Sequence, residues 1–305
     1  MVSRYRTISF LSDYGTADEL VGVVKSVVRT IAPDVTVIDV THEVPPYDVR
    51  AGGLALARSA AYLAPGVVLA VVDPGVGTPR RALAVEVGDG QSVLVGPDNG
   101  LLAPAVALVG GATRAVILTN PDYRLPAPSA TFDGRDVFGP AAAHLCNGVP
   151  LTDLGPEVDP SSLLPGVIPV ARTDEDDLVA EVLWVDRFGN AELNVSPEDL
   201  AGWGDRVHVQ FGQGGPVRTA SAVEAFGQLT VGQLGWMIDA CGLVALCLQQ
   251  RSAAAELGLA AGSEVLLRSL NDGEEAGDDT DAGAASPSAA TPVQLGGTHT
   301  ARKPT

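Results

Sequence analysis

Short apolar runs alternate with helical patterns through the first half of the chain. The runs are rich in valine and isoleucine, as in buried strands, and they cover residues 7–11, 35–40, 67–72 and 92–95. A capping box at Thr16 and Glu19 predicts a first helix that ends before Pro33. A second helix is predicted from Asp48 to the Pro65 breaker. Strands that alternate with helices predict an α/β fold, with a mostly parallel sheet flanked by helices on both faces.

The second half of the chain contains a succession of predicted strands without helical patterns between them. Further runs cover residues 178–185, 206–211, 243–248 and 264–270, with glycine-rich breaks such as 212–215 between them. This pattern predicts a smaller C-terminal antiparallel β-barrel. We therefore predict an N-terminal α/β domain over 1–165 and a barrel domain over 172–270, with a Pro- and Gly-rich linker within 147–171. Residues 271–305 hold six acidic and two basic residues among small ones, which predicts a disordered acidic tail.

Composition and charge exclude several classes of function. A net charge of −18 argues against binding nucleic acid, and no apolar run approaches the roughly 20 residues of a membrane span. The three cysteines lack CxxC spacing and no HxH or HExxH pattern occurs, so no metal site is predicted. The N-terminus has no secretory pattern, and a cytoplasmic location is expected. An acidic protein attracts a cationic small substrate rather than repelling it.

Polar or glycine-rich loops follow the predicted parallel strands. Ligands of open parallel sheets bind outside the carboxyl ends of the strands, so Asp13, Asp73 and Asp98 are expected to lie at one rim. For each of them turn chemistry is the alternative interpretation, because Asp beside Gly or Pro is common in turns. Residues 75–77 are interpreted as a tight turn rather than a nucleotide loop. His42 and His144 are interpreted as structural residues.

Two short segments with closely spaced charged, polar and aromatic residues remain to be interpreted. Residues 131–136 place three charges and an aromatic side chain in six positions, just before an alanine-rich helix, which a turn alone does not explain. Residues 186–190 follow a predicted strand with an Asp, a Phe and an Asn. This second group could stack on and hydrogen-bond a base or an amino acid, or it could form a hairpin turn, and the spacing leaves both open.

Together these motifs resemble those of the SAM hydroxide adenosyltransferases, enzymes that hydrolyse S-adenosyl-L-methionine (SAM) to adenosine and are relatives of the SAM-dependent fluorinase and chlorinase. The similarity spans about residues 7–270, and its motifs lie at 12–15, 42–49, 72–77, 96–102, 131–136 and 186–190. The resemblance implies a homotrimer whose active sites lie between the N-domain of one subunit and the C-domain of its neighbour. It also implies SAM as the substrate and no cofactor.

The resemblance assigns roles to matching positions. Asp73 and Arg80 match two members of a water-activating Asp–Arg–His triad, and Asp133 stands where the family has the histidine. The other matches imply substrate contacts, as follows: Asp13 with the ribose hydroxyls, Tyr47 as an aromatic wall, Thr131 and Phe132 near the sugar and sulfonium, Asp18 and Asp186 at the methionine amino group, and Phe188 and Asn190 at the adenine or methionine ends. A further departure is Ala240-Cys241, where the halogenases have Ser-Arg.

These residue types suit hydrolysis at the 5′ carbon. A carboxylate can accept a proton from water, and a guanidinium can hold the nucleophile in line with the C5′–S bond. An ionised Asp73 would repel a halide, so hydrolysis is preferred to halogenation. The alternatives are a SAM- or adenosine-binding protein with little turnover, which the departure at Asp133 keeps open, and a SAM-dependent halogenase.

Overall fold

A seven-stranded sheet occupies the first half of the computed structural model, which describes residues 4–174, 177–212 and 214–270. Its strands are β1 (Thr7–Ser12), β2 (Thr36–Thr41), β3 (Val67–Val71), β4 (Ala82–Val87), β5 (Ser92–Pro97), β6 (Ala112–Ile117) and β7 (Glu157–Val158). They lie in the order β2-β1-β3-β5-β4-β6-β7. Strands β2, β1, β3 and β5 pair in parallel, whereas β4 and β7 run antiparallel to their neighbours. The predicted mostly parallel sheet is confirmed.

Helices cover both faces of this sheet. They are α1 (Leu20–Ile31), α2 (Val49–Ala60), α3 (Ala103–Leu108) and α4 (Gly139–Cys146). Side chains of successive strand residues point to opposite faces, so Phe10 packs in the core beneath α1 and α4 while Leu11 packs beneath α2 and α3. The sheet therefore has two separate apolar layers.

The starts of the first two helices differ in chemistry. Asp48 caps α2 as predicted, since its Oδ1 accepts a hydrogen bond of 2.9 Å from the backbone N–H of Ala51. The capping box predicted for α1 was wrong. That helix begins at Leu20 without a side-chain cap, because the Thr16 hydroxyl instead donates to Glu43 across the loop, at 3.0 Å.

The second half of the chain forms a closed barrel. Its strands are β8 (Arg172–Asp174), β9 (Asp177–Val185), β10 (Ala191–Leu193), β11 (Arg206–Phe211), β12 (Val217–Ala222), β13 (Leu234–Ile238), β14 (Val244–Leu248) and β15 (Glu264–Ser269). Seven of them follow the order β10-β14-β13-β12-β11-β15-β9, and β9 pairs again with β10 to close the ring. Strand β8 pairs with the first three residues of β9. A short helix, α5 (Ala253–Leu257), packs against β14.

The barrel departs from a fully antiparallel pattern at one place. Strands β12 and β13 pair in parallel over two residue pairs. A parallel pair needs a crossover rather than a tight hairpin, and residues 223–233 provide it. The other pairings among β9–β15 are antiparallel, as predicted.

The connection between the two sheets is more ordered than a plain linker. Within the predicted linker 147–171, β7 pairs with β6 and extends the first sheet. The domain boundaries proposed above stay predictions, and the predicted tail at 271–305 lies outside the described residues. Within residues 4–174, 177–212 and 214–270, every helix is too short or too polar to cross a bilayer.

Candidate active site

Two predicted aspartates meet at the carboxyl edge of the parallel strands. Asp13 follows β1 directly, and Asp73 lies two residues after β3. The backbone N–H of Asp13 donates to the carbonyl of Val71, at 3.4 Å, so the two strand ends are joined. Burial raises the pKa of Asp13, and the neighbouring charge of Asp73 adds to this, while the backbone N–H of Tyr47 opposes it.

Asp98, the third aspartate predicted at this rim, is hydrogen-bonded to two groups of the surrounding structure. One oxygen of Asp98 accepts from Arg81 Nε at 2.7 Å, and the other accepts from the backbone N–H of Leu164 at 2.9 Å. The carboxylate is buried. Asp98 therefore anchors the segment that follows β7, and its oxygens are engaged there.

Asp73, Arg80 and Asp133 form one ionic cluster. Arg80 Nε lies 2.9 Å from each oxygen of Asp73, and Arg80 Nη2 donates to both Asp73 Oδ2 and Asp133 Oδ2. The side chains of Asp73, Arg80 and Asp133 are 5%, 12% and 18% exposed. Burial alone would lower the pKa of Arg80, but its bonds to Asp73 and then Asp133 raise it overall. The guanidinium is therefore a permanent cation between two carboxylates.

The loop at 73–80 brings Asp73 and Arg80 onto one another. It is a tight turn, as predicted, in which the Thr78 hydroxyl donates to the carbonyl of Gly75 at 2.6 Å. Gly77 has a φ of +78°, and a Cβ added there would lie 2.9 Å from the carbonyl oxygen of Ala130. Glycine is thus required both by the backbone angle and by the close approach of the segment that leads to Asp133.

Asp133 stands at the start of an irregular helical turn. Residues Gly134–Phe138 form a π-helical turn that continues into α4. Such turns are frequent at functional sites. A Cβ added at Gly134 would overlap the Tyr14 hydroxyl, so glycine here lets the turn close over that phenol.

Tyr14 is a site residue that the sequence interpretation missed. Its ring packs edge-on against Phe132, with 5.7 Å between centroids, and against Phe10. Burial, followed by the charges of Asp13, Asp73 and Asp133, raises the pKa of Tyr14, so the phenol stays protonated. The motif at 12–15 contained the residue, but the pattern alone did not show which way the ring points.

Tyr47, Thr131 and Asp18, the remaining predicted residues of the first half, are exposed. Tyr47 donates its backbone N–H to Asp13 Oδ2 at 2.9 Å, while its ring is 73% exposed and its φ is +69°. A tyrosine in this backbone region is uncommon and marks a strained loop. Thr131 is exposed and its hydroxyl bonds that of Ser129 at 2.9 Å. Asp18 is exposed on the segment before α1.

The three predicted residues of the second half lie together in the β9–β10 hairpin. Both oxygens of Asp186 bond within that turn, to the backbone N–H groups of Phe188 and Asn190 and to the Asn190 side chain, at 2.7–2.9 Å. The hairpin interpretation is therefore confirmed. The turn also presents the Phe188 ring, which is 77% exposed, so a contact with substrate stays a prediction.

The two groups of predicted residues lie toward opposite ends of α2. Tyr47 and Asp48 precede that helix at the first cluster, whereas Arg58 in its last turn contacts Glu192 of the barrel. At 1.5 Å per residue, the ten residues from Asp48 to Arg58 span about 15 Å. Asp186, Phe188, Asn190 and Glu192 line one cavity beside the Arg58 end.

His42 has the structural role predicted for it. Its Nδ1 lies 2.8 Å from the hydroxyl of Ser12, and its ring packs on Phe10 at 4.6 Å between centroids. The imidazole is buried. Ser12 Oγ also accepts from the backbone N–H of Tyr14 at 3.3 Å, so His42 supports the loop that carries Asp13 and Tyr14.

Comparison with known proteins places this arrangement in a family. The N-terminal domain model of the SAM hydroxide adenosyltransferases matches residues 8–155, and the C-terminal domain model matches 180–266. A protein of Salinispora tropica named (R)-S-adenosyl-L-methionine hydrolase is 46% identical over 258 residues, which cover 85% of this chain and 96% of the relative. A protein of the same name from Thermus thermophilus is 43% identical over 270 residues, covering 86% and 99%.

A solved structure shows the same architecture. The crystal structure of an uncharacterized conserved protein from Thermotoga maritima superposes with a TM-score of 0.79 at 32% identity, covering 86% of this chain and 99% of the other. Both family models match in order, and together they take in both sheets. The chain therefore belongs to the SAM hydroxide adenosyltransferase family.

Proposed function

We propose that this chain is a SAM hydrolase that releases adenosine and L-methionine by in-line attack of water on C5′. The observation that carries the proposal is the Asp73–Arg80–Asp133 cluster at the carboxyl edge of the sheet, in a chain 43–46% identical to proteins named (R)-S-adenosyl-L-methionine hydrolase. Ligands of parallel sheets bind at this edge.

The reaction needs an oriented water and no acid for the leaving group. The water oxygen forms a bond to C5′ while the C5′–S bond breaks. The electron pair of the C5′–S bond stays on sulfur, so methionine leaves as a neutral thioether. One water proton passes to a carboxylate, for which we assign Asp73, and Arg80 holds the oxygen in line. Arg80 already bonds both carboxylates, so it is preorganised before substrate arrives.

The charges of the cluster favour hydrolysis over halogenation. The guanidinium of Arg80 is bonded to two carboxylates, of Asp73 and Asp133, and the charge of Asp13 acts together with theirs on Tyr14. A halide would meet uncompensated negative charge there, whereas the sulfonium of SAM is a cation. In this scheme Asp133 replaces the family histidine as a second acceptor next to Arg80. No cofactor takes part in it.

The surrounding residues would hold the nucleoside. We assign Asp13 to the ribose hydroxyls, Tyr47 to the wall beside the sugar, and Thr131 and Phe132 to the sulfonium region. The C-terminal residues Asp186, Phe188 and Asn190 would bind the adenine and methionine ends, with Asp18 at the amino group. The exposed rings of Tyr47 and Phe188 support these assignments, since each is available to stack on a ligand.

We also propose that the active site is shared between subunits of a homotrimer. The two halves of the predicted site lie at opposite ends of α2, about 15 Å apart along the helix. A neighbouring copy would bring a C-terminal half to each N-terminal half. Free thiols at Cys146, Cys241 and Cys247 are in keeping with a cytoplasmic location, which we propose as well.

The names of the relatives add a stereochemical element. A sulfonium with three different substituents and a lone pair is a stereocentre, and the relatives are named for the R configuration. We extend this preference to the present chain. Incubation with each sulfur epimer separately should consume the R form faster, and equal rates would contradict the assignment.

Product analysis tests the reaction itself. Chromatography of a SAM incubation should show adenosine and methionine in equal amounts, and Asp73→Asn should lower kcat at least about 100-fold because it removes the proton acceptor. Tight SAM binding without adenosine release by the wild type would favour the binding-protein alternative. Formation of a 5′-halo-5′-deoxyadenosine in chloride or fluoride buffer would favour the halogenase.

The substitution Asp133→His tests the departure from the family pattern. It restores the residue type that the resemblance places third in the triad. Equal or lower activity would show that Asp133 is adapted to its place beside Arg80, and a faster enzyme would show that the native carboxylate limits water activation. Both outcomes are read from the rate of adenosine release.

A further inference from the structure

An Asp–His–Ser array adjoins the loop that carries Asp13. Asp39 belongs to β2, His42 follows that strand, and Ser12 ends the neighbouring strand β1. His42 Nδ1 lies 2.8 Å from Ser12 Oγ, and His42 Nε2 lies 3.1 Å from Asp39 Oδ1. The side chain of Asp39 is 45% exposed, whereas His42 and Ser12 are buried. The array therefore runs from the protein surface to the active-site loop.

A shift in the β1–β2 register brings these residues together. Phe10 is opposite Asp39, but the residue after Phe10 is opposite Thr41, so β2 has one extra residue there. Continued by one position, the shifted register places Ser12 beside His42. Irregular pairings of this kind re-aim side chains and are over-represented next to active sites.

Asp39 is held as an anion by two partners. Lys25 Nζ on α1 lies 2.6 Å from Asp39 Oδ2, and His42 Nε2 lies next to the other oxygen. Burial alone would raise the pKa of Asp39, but its bonds to Lys25 and then His42 lower it overall. A carboxylate therefore stands beside the buried Nε2 of His42.

This carboxylate determines which ring nitrogen of His42 carries the hydrogen. A lone pair on Nε2 would be repelled by Asp39, so the hydrogen belongs on Nε2. The contact between them is bent rather than linear, so Asp39 acts on the ring mainly through its charge. Nδ1 is then left with a lone pair, which faces Ser12.

The bonds of Ser12 require the same tautomer. Ser12 Oγ accepts from the backbone N–H of Tyr14 at 3.3 Å, and Ser12 is 0% exposed, so its own hydroxyl proton needs a protein acceptor. Among the contacts of the described residues, His42 Nδ1 is the acceptor within reach. An imidazolium, or a hydrogen on Nδ1, would leave that hydroxyl proton buried without a partner.

His42 also holds the far end of the same loop. Its carbonyl accepts from the backbone N–H of Gly15 at 2.7 Å, so Ser12 and Gly15 are both bonded to His42. Asp13 lies between these two anchor points. The position of the Asp13 carboxylate thus depends on how His42 is set.

We propose that Asp39 and His42 are positioning residues that set Asp13 for the ribose hydroxyls of the substrate. Asp39 selects the Nε2–H tautomer, and His42 then accepts from Ser12 and fixes the loop. The inference rests on the proposed function for the role of Asp13. The three residue types are also those of a hydrolytic triad, but the buried hydroxyl of Ser12 is closed to substrate, so we assign no nucleophile here.

The tautomer of His42 is the direct test. NMR of protein labelled with 15N-histidine distinguishes protonated from unprotonated ring nitrogens, and His42→Gln identifies the signals of this residue among the four histidines. The wild type should carry hydrogen on Nε2 alone. Asp39→Asn, whose amide can donate to Nε2, should move the hydrogen to Nδ1. An imidazolium or an Nδ1–H form in the wild type, or an unchanged tautomer in Asp39→Asn, would overturn the proposal.

Lys25→Gln is the matched control, because it removes the other partner of Asp39 and keeps the contact with His42. Asp39→Asn should speed hydrogen exchange of the Tyr14 backbone N–H at least about 5-fold, and Lys25→Gln less than about 2-fold. If Asp39 serves only as a surface ion pair, the two variants should lower the melting temperature alike and leave the tautomer and this exchange rate unchanged.

Kinetics with two substrates test the link to Asp13. Asp39→Asn should raise KM for SAM about 5- to 50-fold and change kcat less than about 2-fold, since the ribose contact is made equally in the ground and transition states. For the 2′,3′-dideoxyribose analogue of SAM, which lacks both hydroxyls, KM should change less than about 2-fold. Equal losses for both substrates would contradict the positioning of Asp13.

The failure of this proposal can be told from failure of the function on which it rests. A wild type that releases no adenosine would refute the proposed hydrolysis. The tautomer and the Tyr14 exchange rate are measured without substrate, so they would still decide whether Asp39 and His42 set the loop.

Discussion

The Tyr14 phenol is buried near the carboxylates of Asp13, Asp73 and Asp133, whose charges help raise its pKa and keep it protonated. Tyr14→Phe removes the hydroxyl and keeps the ring contacts with Phe10 and Phe132. Because one neutral hydrogen bond contributes about 0.5–1.5 kcal/mol, we expect kcat/KM to fall about 2- to 12-fold, with little change in melting temperature. Steady-state kinetics and thermal unfolding measure the two effects. Unchanged kinetics would mean that the hydroxyl only fills space beneath Gly134.

Glu192 should couple the stability of the fold to pH. Burial, then its hydrogen bond with Asp239, raises the pKa of Glu192 to about 7, although Arg58 opposes the shift. An unfolded glutamate titrates near pH 4.3, so the folded state binds this proton more tightly and loses stability as pH rises from about 4.3 through 7.

The expected loss for Glu192 is about 1–3 kcal/mol between pH 5 and pH 8. Glu192→Gln keeps the shape without the titration, so the difference between the two proteins isolates this residue. Urea unfolding at both pH values gives the free energies. Parallel pH profiles for wild type and variant would show that Glu192 titrates normally in the folded state.

At the scale of elements, the turn between β3 and β4 decides whether Asp73 and Arg80 can meet. Gly77→Ala should destabilise the fold by about 1–2 kcal/mol through its positive φ alone, with an added clash against Ala130. Gly110→Ala is the matched control, since Gly110 has a φ of +93° with open space around its Cβ position. Both variants should unfold more easily. Only Gly77→Ala should also lower kcat, and equal kinetic effects would contradict this role of the turn.

The elements that could be predicted are those with a clear pattern of apolar and polar residues within their own segment of the sequence. Strands β1, β3 and β5 are short apolar runs with polar loops after them, and both flanking helices carry clear stops. Strand β4 follows a turn, and only a single 3-10 turn separates it from β5, so the alternation rule did not indicate it. Strand β10 has three residues, too few for a periodic signal.

The active site was predictable in part for the same reason. The ends of neighbouring parallel strands meet at one rim, which placed Asp13 beside Asp73 from the strand pattern alone. Arg80 and Asp133 are 53 positions apart, and no local spacing relates them, so their pairing came from the family resemblance. Arg58 and Glu192 are 134 positions apart and lay outside both kinds of argument.

At the scale of the whole molecule, the two sheets divide the chemistry between them. The first sheet supplies the charged cluster proposed to activate water, and the barrel supplies the β9–β10 hairpin whose residues are proposed to contact the substrate. A net charge of −18 over 305 residues draws a cationic substrate toward both. Because α2 separates the two halves by about 15 Å along its axis in one chain, the proposed trimer would let a second copy supply the other half.

This division makes subunit complementation the decisive test of the proposed trimer. Asp73→Asn disables the first half and Phe188→Ala removes an exposed ring of the second, so each variant alone should be poorly active. In trimers formed by coexpressing both, each shared site has about a one-in-four chance of combining two intact halves, so about a quarter of wild-type activity should return. A site contained within a single chain could never recover activity by mixing. Light scattering of the purified mixture should give three subunits per particle, and a monomer would contradict the shared site directly.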